Sequence, residues 1–324
     1  MLKMRGLHRL GLASVLVASW LIGPAVAAPA AAVEAPNPAV TARMMPVQRA
    51  EPRPAIWLLS DGDTRIYLFG TVHILHPELR WRSPALDRVV READELVLEL
   101  DEAEMARTGP ELFGPMMLDK AHPILERVSP ERREPLGRMI AEYGLSQEGL
   151  DRMQTWAVTM ILVVTGMIRE YAPDGEPGSE GAGQVPGVEE VLTADFRANG
   201  RSVTGVERVE DQILAFRDLP AGLQTAMLEA MVDDYVSGAP AGNADETAWI
   251  TGDVDSLAAE METMPPEMFD ALITRRNRNW TNWLIARLDR PGTVLFAVGA
   301  GHLAGSQSVQ EMLAARGFRV TRLN

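Results

Sequence analysis

Short apolar runs alternate with amphipathic stretches along most of this chain, and the alternation predicts strands and helices in turn. Two apolar runs at 55–60 and 65–70 flank the polar turn letters DGD, which predicts a β-hairpin. Further strands are predicted at 95–101, 201–206, 293–298 and 318–323.

Capping residues mark several ends of the helices predicted between these strands. Ser83 followed by Pro84 is typical of an N-cap and a first helical position, so a helix should run from there to about Ala93. Gly144 should end a second helix that begins near Ser129. The other predicted helices cover 147–169, 188–198, 208–218, 221–236, 253–262, 266–288 and 305–316.

The order of these elements predicts the fold class. Strands alternate with helices at both ends of the chain, while the middle is mostly helical. This order favours a layered α/β domain over residues 51–324, with a mainly parallel sheet and a helical insert at about 103–200. The Gly- and Pro-rich segment 170–187 should be a surface loop, and substrate choice is expected to lie there.

The first 27 residues have a different character from the rest of the chain. Three basic residues lie between positions 3 and 9, an uncharged apolar stretch covers 10–22, and Ala-Val-Ala stands at 25–27. This pattern predicts a cleavable signal peptide, and therefore a periplasmic or secreted protein. The alternative is an uncleaved membrane anchor, but the apolar stretch is short for a span. Residues 28–50 are rich in Ala and Pro and should form a disordered linker.

Charge and cysteine content exclude several kinds of function. The whole chain carries a formal charge of −14; without the three basic residues of the signal it has 28 basic and 45 acidic residues, a charge of −17. Such a surface argues against nucleic acid or an anionic membrane as a partner. The chain contains no cysteine. Disulfides, thiolate metal sites and a cysteine nucleophile are therefore excluded, and any metal must be held by His, Asp, Glu or backbone oxygen.

Two Gly-x-x-His stretches are the strongest chemical signal. GTVH (70–73) and GAGH (299–302) each follow a predicted strand. Open α/β sheets build their sites at the carboxyl ends of strands, so His73 and His302 are expected to face one cleft. Gly70 and Gly299 should let the backbone turn sharply and approach a ligand. The alternative is two unrelated histidines that only cap loops.

Two glutamates also follow predicted strands. Glu99 lies near the end of an apolar strand, and Glu207 directly follows the strand at 201–206. A carboxylate in such a place is costly to bury unless it is paired or binds a metal. The alternative is an exposed charge paired with an arginine. His76 and Glu78 are weaker candidates for the same cleft.

An arginine lies on an aromatic face of the long helix predicted at 266–288. Arg276, Trp280 and Trp283 are spaced to share one side of that helix. Arg276 is therefore a candidate clamp for an anion or for an oxyanion that forms during a reaction. The alternative is simple stacking of the arginine on tryptophan, which needs no active site.

Six motifs in order give the chain a resemblance to a known family: FGTVH (69–73), ADELVLELD (93–101), TGVERVEDQILAFRDLP (204–220), AWITGD (248–253), RRNRNW (275–280) and VGAGH (298–302). Over about residues 55 to 323 the chain resembles the TraB/GumN family, which also includes the animal Tiki proteins. The resemblance implies a three-layer α/β/α fold with a mixed, mainly parallel sheet, similar to the erythromycin esterase and haem-binding ChaN-like proteins. It also implies that both Gly-x-x-His loops line one cleft.

The family pattern maps onto five residues of this sequence: His73, Glu99, Arg276, Asn277 and His302. Animal Tiki proteins are regarded as metal-dependent proteases, so the resemblance implies a divalent ion, with manganese or cobalt favoured and zinc possible.

The expected roles follow from that resemblance and from the strand-end positions. His73, His302 and Glu99 are the expected metal ligands. Arg276, Asn277, Glu207 and Glu99 are the expected catalytic residues, with Glu207 as a fourth ligand or general base.

Three functions are compatible with these residues. The first is a metal-dependent hydrolase, most of all a peptidase, acting on a peptide or small-molecule substrate without a membrane anchor after signal cleavage. The second is a metal-free esterase-type hydrolase in which a histidine is the general base and a glutamate orients it. The third is a non-catalytic protein that binds haem, a peptide signal or a saccharide.

Overall fold

A computed structural model describes residues 51–73, 75, 79–107, 113–171, 187–238 and 246–324. The predicted signal peptide and linker lie outside the described residues, as do His76, Glu78 and most of the predicted loop at 170–187. Within the described ranges, no helix is both long enough and apolar enough to span a membrane.

A six-stranded mixed sheet lies at the centre of the fold. Its strands are β1 (Ile56–Ser60), β2 (Thr64–Thr71), β3 (Glu95–Leu98), β4 (Ser202–Gly205), β5 (Gly292–Gly299) and β6 (Val320–Arg322). Their order across the sheet is β4-β3-β5-β2-β1-β6. The first four are parallel to one another, whereas β1 runs antiparallel to β2 and to β6. The predicted hairpin is therefore confirmed as β1–β2.

Helices surround the sheet and also form a second, helical core. They are α1 (Pro84–Glu92), α2 (Glu102–Met105), α3 (Pro130–Glu142), α4 (Gln147–Asp151), α5 (Thr155–Tyr171), α6 (Val188–Ala198), α7 (Val209–Arg217), α8 (Ala221–Ser237), α9 (Glu246–Thr251), α10 (Val254–Met261), α11 (Pro266–Phe269), α12 (Arg275–Arg287) and α13 (Val309–Ala315). The predicted caps are confirmed. The Ser83 side chain accepts from Leu86 N at 3.2 Å, and Gly144 takes a left-handed φ of 68° after α3.

Two long helices predicted from periodicity are interrupted. Residues 147–169 form α4 and α5, because the chain between them pairs with a neighbouring segment: Gln154 N donates to Met116 O, and Leu118 N to Arg152 O. The stretch 266–288 contains a π-helical turn at Asp270–Thr274, immediately before α12. Such turns change the direction in which the following side chains point, and they are frequent at functional sites.

The sheet has a packed layer on each face. Successive side chains of a strand point to opposite faces of the sheet. Leu96 and Leu98 of β3 therefore pack in the cluster that contains α1 and α6. Val97 packs in the opposite cluster, with Trp280 and Leu284 of α12. The protein thus has the three-layer α/β/α fold that the resemblance implies.

The helical core draws on more of the chain than the predicted insert at about 103–200. One buried cluster joins residues from 100–167 with residues from 209–232 and 261–273. Conversely, α6 lies in the predicted insert but packs on the sheet, since Val188, Leu192 and Phe196 share the cluster of β3 and β4. The reason is topological: α6 is the crossover helix that returns the chain to β4, so its apolar face meets the sheet.

The register of β2 and β5 positions the two Gly-x-x-His loops. These strands are parallel neighbours, with Gly70 opposite Val298 and Thr71 opposite Gly299. Both loops therefore leave the same edge of the sheet side by side. Glu99 follows β3, the other neighbour of β5, at this same edge.

Candidate functional site

His302 lies in the 3₁₀ turn Ala300–Leu303 that follows β5, and it is completely buried. Its Nδ1 is 2.6 Å from Oδ1 of Asn277. The Asn277 amide group donates to the carbonyls of His302 and Gln307, at 3.1 and 2.7 Å, so its oxygen must face the ring. The proton therefore sits on Nδ1, and Nε2 carries the lone pair.

The guanidinium of Arg276 lies against that lone pair. Its Nη1 is 3.2 Å from Nε2 of His302. Nε and Nη2 donate to the two oxygens of Glu207, at 2.9 and 2.8 Å, and Nη2 also contacts Glu99. The same guanidinium stacks on Trp280, with 4.9 Å from its carbon to the ring centre. Arg276 therefore stacks on Trp280, as the alternative interpretation expected, and it also pairs with two carboxylates of the protein. Its role as a clamp for an oxyanion stays a prediction.

Two buried carboxylates share this arginine. Glu99 is 2% exposed, and its second oxygen accepts from Gly299 N at 2.8 Å, which ties β3 to the start of the second Gly-x-x-His loop. Gln212 of α7 donates to both Glu99 and Glu207, at 3.2 Å each. The negative charges of the two glutamates outweigh the cost of burial and raise the pKa of Arg276.

His73 lies past the end of β2 and is also buried, with 4% of its surface exposed. Its Nδ1 is 2.7 Å from Oε1 of Glu189 in α6, an ion-pair distance, although the geometry is not that of a straight hydrogen bond. Its Nε2 has no hydrogen-bond partner among the residues that the structure describes. A buried polar atom without a partner is uncommon and points to something that binds there.

The two histidines have opposite charge preferences. Burial, together with the positive charges of Arg276 and His73, holds the pKa of His302 well below 6.5. Burial also acts to lower the pKa of His73, but the charge of Glu189 and its contact with the ring overcome this and raise the pKa to about 9. At neutral pH the site therefore contains one neutral imidazole and one imidazolium.

Sequence comparison places this arrangement in a family. The sequence profile of the TraB/PrgY/gumN family matches residues 55–322, which include all the site residues. The chain belongs to the TraB/PrgY/gumN family. No solved structure matches it.

The sequence matches to individual relatives of this TraB/PrgY/gumN protein cover different fractions of its chain. Uncharacterized protein YbaP of Escherichia coli strain K12 is 24% identical over 267 residues, which is 80% of this chain and 92% of YbaP. YbaP of Shigella flexneri matches to the same extent. A metalloprotease TIKI homolog of the sponge Amphimedon queenslandica is 35% identical over 69 residues, which is 21% of this chain and 14% of that protein.

The donors of the site are not arranged as a metal ion requires. Among the described residues of this TraB/PrgY/gumN protein, no three or more His, Asp or Glu side chains converge in a way that could hold an ion. The cause is Arg276, whose guanidinium fills the space between Glu99, Glu207 and His302. The residues therefore do not fit an ion in this arrangement, and the predicted metal site stays a prediction.

The first glycine of each motif does not act as expected. Neither Gly70 nor Gly299 has a left-handed backbone, so neither supplies a special turn. Instead, a Cβ on Gly70 would lie 2.9 Å from the Cα of Ala300 in the other loop. Gly70 is therefore required because the chain at this position touches the other loop. Its predicted approach to a ligand stays a prediction.

Two residues of the site, Glu189 and Gln212, were not predicted from the sequence. Glu189 lies in the predicted helix 188–198, where acidic residues in the first turn are ordinary. Gln212 is five positions after Glu207 and carries no chemical signature of its own. A carboxylate two residues after the Pro-Gly that ends the predicted loop was the one available signal for Glu189.

The charge of His73 should make the stability of this protein depend on pH. An unfolded histidine titrates near 6.5, whereas folded His73 titrates at about 9, so its stabilising contribution is complete below pH 6.5 and is lost as the pH rises towards 9. We expect the free energy of unfolding to fall by about 1.4 kcal/mol per pH unit in this window. Urea unfolding at several pH values measures it. His73→Gln should remove this slope and His122→Gln, an exposed control, should keep it; an unchanged slope in His73→Gln would contradict the assignment.

Proposed function

We propose that this protein is a hydrolase of amide or ester bonds, of peptidase type, and that His302 is its general base. The observation that supports this proposal most directly is the contact of Asn277 with Nδ1 of His302. It places the ring proton on Nδ1, so the lone pair of Nε2 can accept a proton. The lowered pKa keeps that lone pair available at neutral pH. Membership of the TraB/PrgY/gumN family and the partial similarity to a protein named as a metalloprotease support this class of reaction.

The proposed mechanism uses the two histidines in different roles. A water molecule replaces Nη1 of Arg276 at Nε2 of His302, gives up a proton to it and attacks the substrate carbonyl. His73, which is protonated at neutral pH, donates from Nε2 to the leaving group. Pairs of groups whose pKa values are driven apart by their surroundings are typical of such acid–base assignments. The guanidinium of Arg276 must shift to admit this water, and its ion pairs with Glu99 and Glu207 keep it within the site.

A metal-dependent hydrolase is the second candidate, and one observation favours it. Both histidines have Nδ1 against a side-chain oxygen, which leaves both Nε2 atoms for another partner, as is usual in histidines that bind metals. His73, His302 and Glu99 would then hold the ion, with manganese or cobalt favoured and zinc possible, and it would activate the attacking water. Arg276 would first have to leave the space between them.

The proposed location is the periplasm or the exterior, because the first 27 residues have the pattern of a signal peptide. The proposed partner is a peptide or small-molecule substrate, and the acidic surface argues against nucleic acid.

The test separates the two candidates. The chain is expressed with its own leader, purified without a histidine tag or chelator, and incubated with a mixed peptide library and with nitrophenyl esters. Products are detected by mass spectrometry and by absorbance, before and after exhaustive dialysis against EDTA. We expect turnover that survives EDTA. Turnover lost in EDTA and restored by Mn²⁺ or Co²⁺ would favour the metal-dependent candidate, and no turnover of either substrate class would contradict both.

A further inference from the structure

We infer that Glu189 is a positioning residue for His73, and that it fixes the ring so that Nε2 faces the site. The inference adds a residue to the proposed active site and rests on the proposed function only for its kinetic readout. Its structural readout is independent of any activity.

The contact between the two side chains is short and fully enclosed. Nδ1 of His73 and Oε1 of Glu189 are 2.7 Å apart, and both residues are 4% exposed. The two atoms are at ion-pair distance, although the geometry is not that of a straight hydrogen bond. Because a nitrogen lone pair and a carboxylate oxygen would repel each other at this distance, we expect a proton on Nδ1. The ring is thereby held in the orientation that leaves Nε2 without a protein partner among the described residues.

Glu189 is itself held firmly. Its Oε1 accepts from the Thr71 hydroxyl at the end of β2, two residues before His73. It lies in the first turn of α6, where the helix dipole favours a negative charge. The pKa of Glu189 reflects this balance: burial acts to raise it, but the charge and contact of His73, with the Thr71 hydroxyl, lower it overall.

The backbone fixes the same geometry. Val188 N donates to Val72 O at 3.1 Å, which docks the start of α6 on the chain that leads to His73. A Cβ on Gly187 would lie only 2.1 Å from the carbonyl oxygen of His73, so only glycine permits this approach. The position of Glu189 relative to His73 is therefore set by main-chain contacts on both sides.

The two histidines are oriented by different groups. Asn277 of α12 holds Nδ1 of His302 with a neutral amide, whereas Glu189 of α6 holds Nδ1 of His73 with a carboxylate. The same nitrogen of each ring thus faces a side-chain oxygen, which turns Nε2 of each ring towards the site. Glu189 is therefore the counterpart of Asn277 at the first Gly-x-x-His loop.

The test is ¹⁵N NMR of the full chain labelled at histidine, with the His73 signals assigned by their loss in His73→Gln. In the wild type we expect a proton on Nδ1 of His73. Glu189→Gln, whose amide oxygen can still accept, should retain it. Glu189→Ala should lose the preference for Nδ1. Asp195→Asn, which changes a carboxylate that pairs with Arg82 on the surface of the same helix, is the matched control and should leave the His73 signals in place.

The kinetic readout follows with any substrate found in the screen. We expect kcat to fall by about 10- to 100-fold in Glu189→Ala while KM changes little, and to stay within about twofold in Asp195→Asn. A proton that stays fixed on Nδ1 of His73 in Glu189→Ala would overturn the inference, whatever the activity. If the screen finds no substrate, the proposed function fails, and the NMR result still decides the role of Glu189. If Glu189→Ala does not fold, Glu189→Leu, which fills the same space without an oxygen, carries the test in its place.

Discussion

Replacing Arg276 with alanine should lower the free energy of unfolding by about 3–5 kcal/mol, which is among the largest effects expected from one substitution in this protein. The guanidinium lies between two glutamate side chains that are 2% and 7% exposed, and it donates to both. Its removal leaves Glu99 and Glu207 as buried negative charges, with Gln212 donating to both and Gly299 N donating to Glu99. Urea unfolding followed by circular dichroism measures the change.

Arg275 provides a matched control in the same helix. Its side chain is 55% exposed and pairs with Asp270 on the surface, so Arg275→Ala should cost less than about 1 kcal/mol. A second test introduces Arg276→Ala into the Glu99→Gln/Glu207→Gln background, where the arginine no longer compensates two charges. The substitution should cost clearly less there than in the wild type. An equal cost in both backgrounds would mean that Arg276 stabilises the protein by packing on Trp280 rather than by charge.

Replacing His302 with glutamine should reduce turnover by about 10²- to 10⁴-fold, because a general base contributes about that much to a reaction. Glutamine retains hydrogen-bonding capacity near Asn277 but has no basic nitrogen. The loss should appear in kcat more than in KM, since the base acts on water and not on substrate binding. Initial rates on the best substrate of the screen measure it.

His122→Gln is the control for this variant, because His122 is an exposed histidine in the helical core region, away from the sheet edge. Its rate should equal that of the wild type. The His302 ring also packs 4.3 Å from Trp280, centre to centre, so circular dichroism must first establish that His302→Gln is folded. A folded His302→Gln protein with wild-type turnover would remove His302 from the mechanism.

Local signals explain which parts of the fold could be predicted from the sequence. The hairpin turn was predictable because Asp61 accepts from the backbone of Asp63 and Thr64, a contact within four residues. The start of α1 was predictable for the same reason, since Ser83 caps a backbone group three positions ahead. The two Gly-x-x-His loops were recognisable because both the strand and the motif are continuous in the sequence.

Contacts between distant segments explain what could not be predicted. The break between α4 and α5 depends on pairing with residues 116–118. The hydrophobic pattern within 147–169 contains no information about that distant segment. Glu189 and His73 meet only because α6 docks at the end of β2, 116 positions away in the sequence. Gly70 was interpreted as a turn residue, although the space it leaves is filled by Ala300 of the other loop. In each case the partner was absent from the local sequence.

The most direct test of the central claim, that both Gly-x-x-His loops form one catalytic site, is a double-mutant cycle on turnover. His73→Gln, His302→Gln and the double variant are compared with the wild type on one substrate, after each is shown to be folded. Residues that act as a unit give effects that do not multiply, so the double variant should be about as slow as the slower single variant. Losses that multiply, or a His73→Gln protein with wild-type turnover, would show that the two histidines do not work in one site.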